Sequence, residues 1–318
     1  MIKKLLGKIS RKIVSKMDKN KKSPLKEEKK KFGYKNKKDT IYLIRRPSET
    51  VGLLSYVITT LGHIHVAVEK NWKIVVDMKN YPNMYSQNKK ENAWEYFFEQ
   101  PSGITLEEAY RSRNVILSSD KIPEFRPNDT NEFFCDYSTR EYWKELCQKY
   151  ININKNVTQY VEKISDELCL DVEGEKVVGV LCRGTDYTSL KPKNHPVQPS
   201  AEQMIEKIME LKNKHRVDKV FLVTEDVKIL ELFKSNFSTS ELKYMKTNRF
   251  DSDNKEYLAV EMNKQKIDTK QQGIDYLVQI ILLSRCNYFV AGRTSGSVGV
   301  TLFTEGFEYE YYWDLGRY

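Results

Sequence analysis

The sequence predicts an α/β protein built from two strand–helix–strand halves facing each other across a cleft. Three observations carry this reading. An apolar strand, an amphipathic helix and a second apolar strand follow one another over residues 41–78. The same order restarts at Val177 and continues to Gly292. In this second half the strands end in polar residues: CRGTD (182–186), TED (224–226) and AGRTSGS (291–297). Strand–helix–strand units imply parallel sheets. Such sheets bind ligands outside the carboxyl ends of their strands.

In the first half, IYLI (41–44) reads as a buried strand, followed by the polar loop RRPSETVG with Pro47 and Gly52. LLSYVITTLGHIHVAVEKN (53–71) reads as a helix with Leu53, Leu54, Val57, Leu61, Ile64, Ala67 and Val68 facing inward. His63 and His65 are two residues apart, so on a helix they diverge and form no metal pair. WKIVVDM (72–78) is a second buried strand and delivers Asp77 at its end. The aromatic stretch NAWEYFF (92–98) reads as core, and Glu107 and Glu108 as a solvated helix start. Residues 141–170 supply two helices able to bridge the halves.

In the second half, VVGVLC (177–182) is a strand, and Ser200 opens a helix with Gln203 at capping-box spacing. KVFLVTED (219–226) is a strand, VKILELFKSNF a helix, QGIDYLVQIILLSRC a longer helix and NYFVAG (287–292) a strand. RTSGSVGVTLF then leads into a further helix. This gives a basic tail and linker over 1–38, an N-terminal half over 39–165 and a C-terminal half over 166–318.

A length of 318 residues is enough for two domains with their own cores. The net charge of +9 is unevenly placed: residues 1–38 hold 16 basic and 3 acidic residues, a net +13, which leaves the remaining 280 at −4. A protein that binds nucleic acid through its body would carry its positive charge there, so nucleic acid is not an expected partner. Residues 1–17, MIKKLLGKISRKIVSKM, place Ile2, Leu5, Leu6, Ile9, Ile13, Val14 and Met17 at helical spacing with lysines and Arg11 between them. This basic amphipathic pattern suits an anionic membrane surface and lacks the features of a signal peptide. The lysine-rich stretch 18–38 reads as a disordered linker. No apolar run reaches the 18 residues of a transmembrane helix. The five scattered cysteines contain no C-x-x-C pair, which argues against a zinc site or a disulfide framework and fits a reducing cytoplasm. G-x-x-x-x-G-K-[ST] and G-x-G-x-x-G are both absent.

The candidate chemistry lies at the strand ends. Arg183, at the tip of an apolar strand, offers a fork of donors matched to phosphate, or else an ion pair with Asp186 that holds the loop. Arg293, Thr294, Ser295 and Ser297, with Gly292 and Gly296, form a donor-rich turn at a helix start, which favours anions and equally suits helix capping. Asp226 reads as a helix N-cap or as a carboxylate accepting from a ring edge rich in N–H groups, such as guanine. Asp77 reads as loop structure or as a general base facing the cleft. His195, next to Pro196, shapes a turn.

VVGVLCRGTDY, NHP (194–196), FLVTED and LLSRCNYFVAGRTSGSV occur in the order seen in the fucosyltransferase superfamily, which the chain resembles over residues 41 to about 305. GLLSYVITTLGHIHVAVEKNWKIVVDM and NAWEYFFEQPSG resemble the corresponding N-terminal blocks of its α1,6-, α1,2- and protein O-fucosyltransferase members. The resemblance implies a GT-B fold of two Rossmann-like domains and a GDP-sugar donor bound by the C-terminal domain without metal or other cofactor. It further implies inverting transfer of fucose to a glycan acceptor. Arg183 matches the arginine on the donor diphosphate, Asp226 the segment at guanine, Thr294 and Ser295 the paired serines near the phosphates, and Asp77 the proposed base. Asp186, Tyr187, His195, Arg293 and Ser297 complete the expected substrate contacts. The chain departs from the pattern at Leu181, where the motif has histidine, at Gly184, where α1,6-type members have a second arginine, and at Tyr187, where they have lysine. These departures place more of the diphosphate binding on Arg183 and Arg293.

Overall fold

The computed structural model describes residues 25–87, 90–251 and 257–318, with the backbone but not the side chains of Asp186 and Tyr187. The amphipathic segment expected at 1–17 lies outside the described residues. Two sheets organise the chain. The N-terminal sheet has the order β1 (Glu28–Lys30), β4 (Val115–Leu117), β2 (Ile41–Ile44), β3 (Lys73–Val76). Strand β2 pairs in parallel with both β3 and β4, and β1 closes the edge antiparallel to β4.

The ordered β1 corrects the expectation of a disordered linker through residue 38. Its lysines sit on an edge strand, where charged side chains can face water while the backbone pairs. Beyond β1, Phe32 N–H and Gly33 N–H donate to Ser112 O at 3.1 and 3.0 Å, and Phe32 packs on Tyr110 with ring centroids 4.9 Å apart. A Cβ on Gly33 would come 2.4 Å from Arg111 O, so this approach needs glycine. Residues 1–24 alone hold nine basic residues and one acidic one, so the body from residue 25 onward is close to neutral, at +1 of the total +9.

Helix α1 (Leu53–Glu69) joins β2 to β3 and buries the expected stripe, except that Val68 is 37 % exposed. Its opposite face is covered as well. Tyr56, Thr59, Thr60 and His63 are buried, with the Tyr42 hydroxyl 3.0 Å from His63 Nδ1. Burial, aided by the nearby Arg46 charge, lowers the His63 pKa to about 4. Trp94, Phe97 and Phe98 are buried around a 3₁₀ turn at Ala93–Tyr96, so this aromatic stretch is core. A short helix α2 (Leu106–Ala109) opens with a Thr105–Glu108 capping box and precedes β4. Helices α3 (Asn131–Cys135), α4 (Tyr137–Tyr150) and α5 (Lys155–Leu168) then lead to the second sheet.

That sheet is parallel throughout, in the order β7 (Leu242–Lys243), β6 (Lys219–Val223), β5 (Val177–Leu181), β8 (Tyr288–Gly292), β9 (Tyr309–Trp313). From β5 the chain passes through α6 (Thr185–Leu190) and α7 (Ala201–Lys214) to β6, and through α8 (Val227–Asn236) to β7. It then returns by α9 (Leu258–Lys264) and α10 (Thr269–Ser284) to β8, on the other side of β5, and continues by α11 (Ser295–Phe303) to β9. The strand order therefore reverses between β5 and β8, the topological switch point at which doubly wound sheets open a crevice. The predicted Ser200–Gln203 capping box opens α7.

The two halves share a continuous core. Helix α11 packs on α1 and α4, and α5 packs on α10, so residues 141–170 do bridge the halves. One buried cluster runs from Leu54 and Trp143 to Leu277 and Val300. At its centre Gly299 of α11 meets Leu54 of α1, where an added Cβ would lie 2.3 Å from Leu54 Cδ1. Among the described residues no helix is long and apolar enough to cross a membrane.

Candidate functional site

Register places the three polar strand ends side by side. Leu181 of β5 is level with Val223 of β6 and with Ala291 of β8. Two residues further on, Arg183 is flanked by Glu225 on one side and Arg293 on the other. All three follow the carboxyl ends of parallel strands, so they share one edge.

Glu225 organises this edge. Its Oε1 accepts from Gly184 N–H and from the Thr185 hydroxyl, both at 3.0 Å. Its Oε2 lies 3.3 Å from Arg183 Nη1, with side-chain exposures of 15 % for Arg183 and 12 % for Glu225. Arg183 thus pairs with Glu225. The Asp186 side chain lies outside the described residues, as does that of Tyr187. Glu225 lies in the strand end TED, and its place in register with Arg183 is the signal that marks it. Arg249 is a second residue the sequence reading passed over. Its guanidinium lies 5.3 Å from the Tyr244 ring and donates to Met245 O at 2.9 Å. Burial lowers its pKa, and the Glu225 charge acts in the opposite direction.

Asp226 is the N-cap of α8. Its Oδ1 accepts from Lys228 N–H and Ile229 N–H, and its Oδ2 from Thr185 N–H at 3.1 Å. At 2 % exposure the carboxylate is committed to backbone, so the structure supports its capping reading over a guanine contact. This close approach also accounts for Gly184. A Cβ there would lie 2.4 Å from Asp226 Oδ2, so the position cannot carry the second arginine of α1,6-type members. Thr185 follows with φ +46°, a strained conformation for a β-branched residue, held by Glu225 and Asp226 together.

The β8 end divides into two parts. Thr294 and Ser297 form a reciprocal capping box: Ser297 N–H donates to Thr294 Oγ1 and Thr294 N–H to Ser297 Oγ. They are 3 % and 0 % exposed, so both are structural caps. Ser295 is half-buried and starts α11, whose first N–H groups have no intrahelical acceptor. The Tyr276 hydroxyl lies over this first turn, 2.5 Å from where a Gly296 Cβ would stand. Across from it, the Tyr85 hydroxyl interacts with the Leu53 backbone N–H at the start of α1. Burial pushes the Tyr85 hydroxyl pKa well up, and Tyr276 adds to this. The start of α1 thus meets Tyr85 and the start of α11 meets Tyr276. Both helix starts carry partial positive charge. Gly52, the N-cap of α1, has open space beside it.

Three further expected contacts are placed differently. Arg293 is 8 % exposed and turns away from Arg183. It pairs with Asp314 Oδ2 at 2.8 Å, donates to Asn131 Oδ1 and lies over Phe134 at 5.5 Å. These contacts make it a strut between the halves, with Nη1 on Asn131 and Asp314 where the expectation had it share the diphosphate. Asp77 is fully buried. Its Oδ1 accepts from Lys79 N–H and Asn80 N–H, and its Oδ2 from Tyr110 Oη at 2.7 Å and Asn80 Nδ2 at 2.9 Å. With four donors on it, Asp77 holds its loop and is not presented as a general base. His195 is exposed in a turn zippered to Tyr318: its N–H donates to Pro192 O and its carbonyl accepts from Tyr318 N–H, both at 3.1 Å.

A polar cavity of about 360 Å³ lies apart from this edge, lined by Lys79, Glu95, Tyr96, Glu107 and Lys270 among others. Among the described residues no group of three or more histidines, cysteines or acidic residues could hold a metal ion.

No family model matches the chain, and no curated protein matches it in sequence. Solved structures do match. The α-1,6-fucosyltransferase NodZ co-crystallized with GDP superposes with a TM-score of 0.50 at 14 % identity, over 84 % of this chain and 93 % of NodZ. Fucosyltransferase NodZ from Bradyrhizobium gives 0.47 at 14 % identity, over 84 % and 93 %. POFUT1 in complex with GDP-fucose gives 0.49 at 11 % identity, over 88 % and 98 %. At these identities the likeness is one of architecture, and this chain has the two-domain GT-B fold of the fucosyltransferases.

Proposed function

We propose that the chain is an inverting, metal-independent glycosyltransferase that transfers fucose from GDP-fucose to a cell-surface glycan or its lipid-linked precursor at the cytoplasmic face of a membrane. The observation that carries this is Arg183 at the tip of β5, beside the switch point, with the half-buried Ser295 and the start of α11 on the adjacent strand. The fold-level likeness to NodZ co-crystallized with GDP supports the choice of donor.

The chemistry follows from charge. Breaking the sugar–phosphate bond leaves extra negative charge on the diphosphate while the sugar becomes oxocarbenium-like. Preorganised donors at that place stabilise the departing group. The Arg183 guanidinium and the first N–H groups of α11 supply them on the C-terminal side, and the start of α1 supplies them across the crevice. Glu225 takes one face of the guanidinium and pins Gly184 and Thr185, so the arginine is held before the donor arrives. Asp77 and Tyr110 shape the loop after β3 on the acceptor side. The acceptor hydroxyl attacks the anomeric carbon from the face opposite the diphosphate, its new bond replacing the sugar–phosphate bond and its proton leaving to water, which inverts the anomeric centre.

The test is a comparison of GDP, UDP and CMP by thermal shift, followed by transfer and hydrolysis of GDP-fucose with and without EDTA. The proposal expects stabilisation by GDP and turnover that survives EDTA. The departures at Leu181 and Gly184 favour one second reading, a GT-B enzyme for another nucleotide sugar, and stabilisation by UDP alone would select it. Tight GDP binding without turnover of any donor would instead mark a nucleotide-binding protein.

A further inference from the structure

The amino ends of β2, β3 and β4 lie at the edge of the N-terminal sheet opposite the loop that carries Asp77, and basic residues gather there. Backbone bonds tie the segments together. Lys35 N–H donates to Arg111 O and Arg113 N–H to Lys35 O, each at 2.9 Å; Lys73 N–H donates to Thr40 O at 2.9 Å, and Asn114 Nδ2 donates to Lys37 O at 3.1 Å. Lys37, Lys38, Lys70, Lys73, Arg111 and Arg113 are all exposed on this edge. Among the described residues none of the six is in an ion pair. Of the neighbouring carboxylates, Glu108 pairs with Lys35 at 3.6 Å and Glu69 with His65 at 3.6 Å, while the half-buried Asp39 is the acid within the basic stretch itself.

Exposed aromatic rings accompany the charge. Tyr34 is 72 % exposed and Phe32 39 %, and Lys31 Nζ lies 4.7 Å from the Tyr34 ring. Lysines beside partly exposed aromatic rings suit the headgroup layer of a membrane, where amphipathic rings settle and amines meet lipid phosphates. We infer that the amino edge of the N-terminal sheet is a docking surface for an anionic lipid bilayer. The surface belongs to the folded body and is separate from the basic amphipathic sequence at 1–17. Docked this way, β2, β3 and β4 run away from the bilayer and carry their carboxyl-end loops above the headgroups.

The test is co-sedimentation of the full chain with vesicles of phosphatidylcholine alone or with about 30 % phosphatidylglycerol, at ~0.1 M salt. The wild type is expected to bind the anionic vesicles only. Each basic residue near such a surface contributes about fivefold in partitioning. Lys37→Gln/Lys73→Gln/Arg113→Gln, with residues 1–24 intact, should therefore lower binding by about 100-fold. The charge-reversed Lys37→Glu/Lys73→Glu/Arg113→Glu should lower it further. An unchanged melting temperature confirms the fold, and the glutamine variant decides if the reversed one does not fold. Binding of the glutamine variant equal to wild type would assign docking to the first 24 residues and overturn the inference. So would indifference of the wild type to anionic lipid, or a preference for a soluble polyanion such as polyphosphate over vesicles.

Discussion

Replacing Arg183 by alanine separates stability from catalysis, because its surroundings predict different costs for the two. In the resting protein the guanidinium meets Glu225 Oε2 at 3.3 Å, and both side chains are largely enclosed. Truncation leaves that oxygen without its cation. Glu225 Oε1 still accepts from Gly184 and Thr185, so the loop remains pinned. Loss of one charged contact costs about 1–3 kcal/mol of stability, less than the ~5–15 kcal/mol of a typical fold. The barrier should suffer more. Removing a preorganised donor aimed at developing charge costs about 2.7–4 kcal/mol, or a factor of about 100 to 1,000 in kcat. The Glu225 carboxylate, short of one of its cations, then adds repulsion toward the diphosphate in the same direction. The assay is kcat for GDP-fucose turnover beside a thermal melt and GDP titration calorimetry. Glu225→Gln, which keeps acceptors for Gly184 and Thr185, should cost about tenfold, the difference between a charged and a neutral partner. A folded Arg183→Ala protein with kcat within a few-fold of wild type would refute the assignment of the diphosphate to this strand tip.

The remaining predictions concern the scaffold. Gly184→Ala would place its Cβ 2.4 Å from Asp226 Oδ2 and 2.7 Å from Asp226 Cβ, so a melt should show a loss of about 1–3 kcal/mol. Arg293→Ala should lower stability by about 1–2 kcal/mol, because the hydrogen bond to Asn131 is lost while the half-exposed Asp314 is rehydrated, and should leave the donor KM nearly unchanged, which steady-state kinetics can check. A large rise in KM would return Arg293 to the donor site. His63 is held neutral by burial, with its pKa lowered from 6.5 to about 4, so the unfolded chain binds more protons between these values. Stability should therefore rise with pH across that window and be lost as pH falls toward 4, by up to about 3 kcal/mol. Denaturant titrations of wild type and His63→Leu should differ in this slope.

Long elements with a clear period were legible. The stripe of α1, the strands around VVGVL and KVFLV, and the Ser200 capping box all stand where their residues place them. The short or unusual ones were not. Strand β7 has two residues, and β1 is three residues of a lysine-rich edge, so neither carries a readable alternation. Val68, placed in the inward stripe by the sequence, is 37 % exposed although its neighbour Ala67 in the same last turn is fully buried, so the cover over α1 narrows there.

The site divides in the same way. Residue type and strand position alone marked Arg183, Asp226 and the Thr294–Ser297 turn. The sequence also determined the two-half α/β architecture, because hydrophobic period and helix caps are local properties of the chain. Which polar side chains are free and which are already spent depends on partners distant in sequence. Asp77 is satisfied by Tyr110, Arg293 Nη1 is taken by Asn131 and Asp314 while its buried Nε has no hydrogen-bond partner, and Arg183 is held by Glu225. Strand register and the packing of the halves bring those partners together. Only the tertiary structure could therefore decide that Asp77 and Arg293 brace the fold and that Glu225 holds Arg183 at its strand tip.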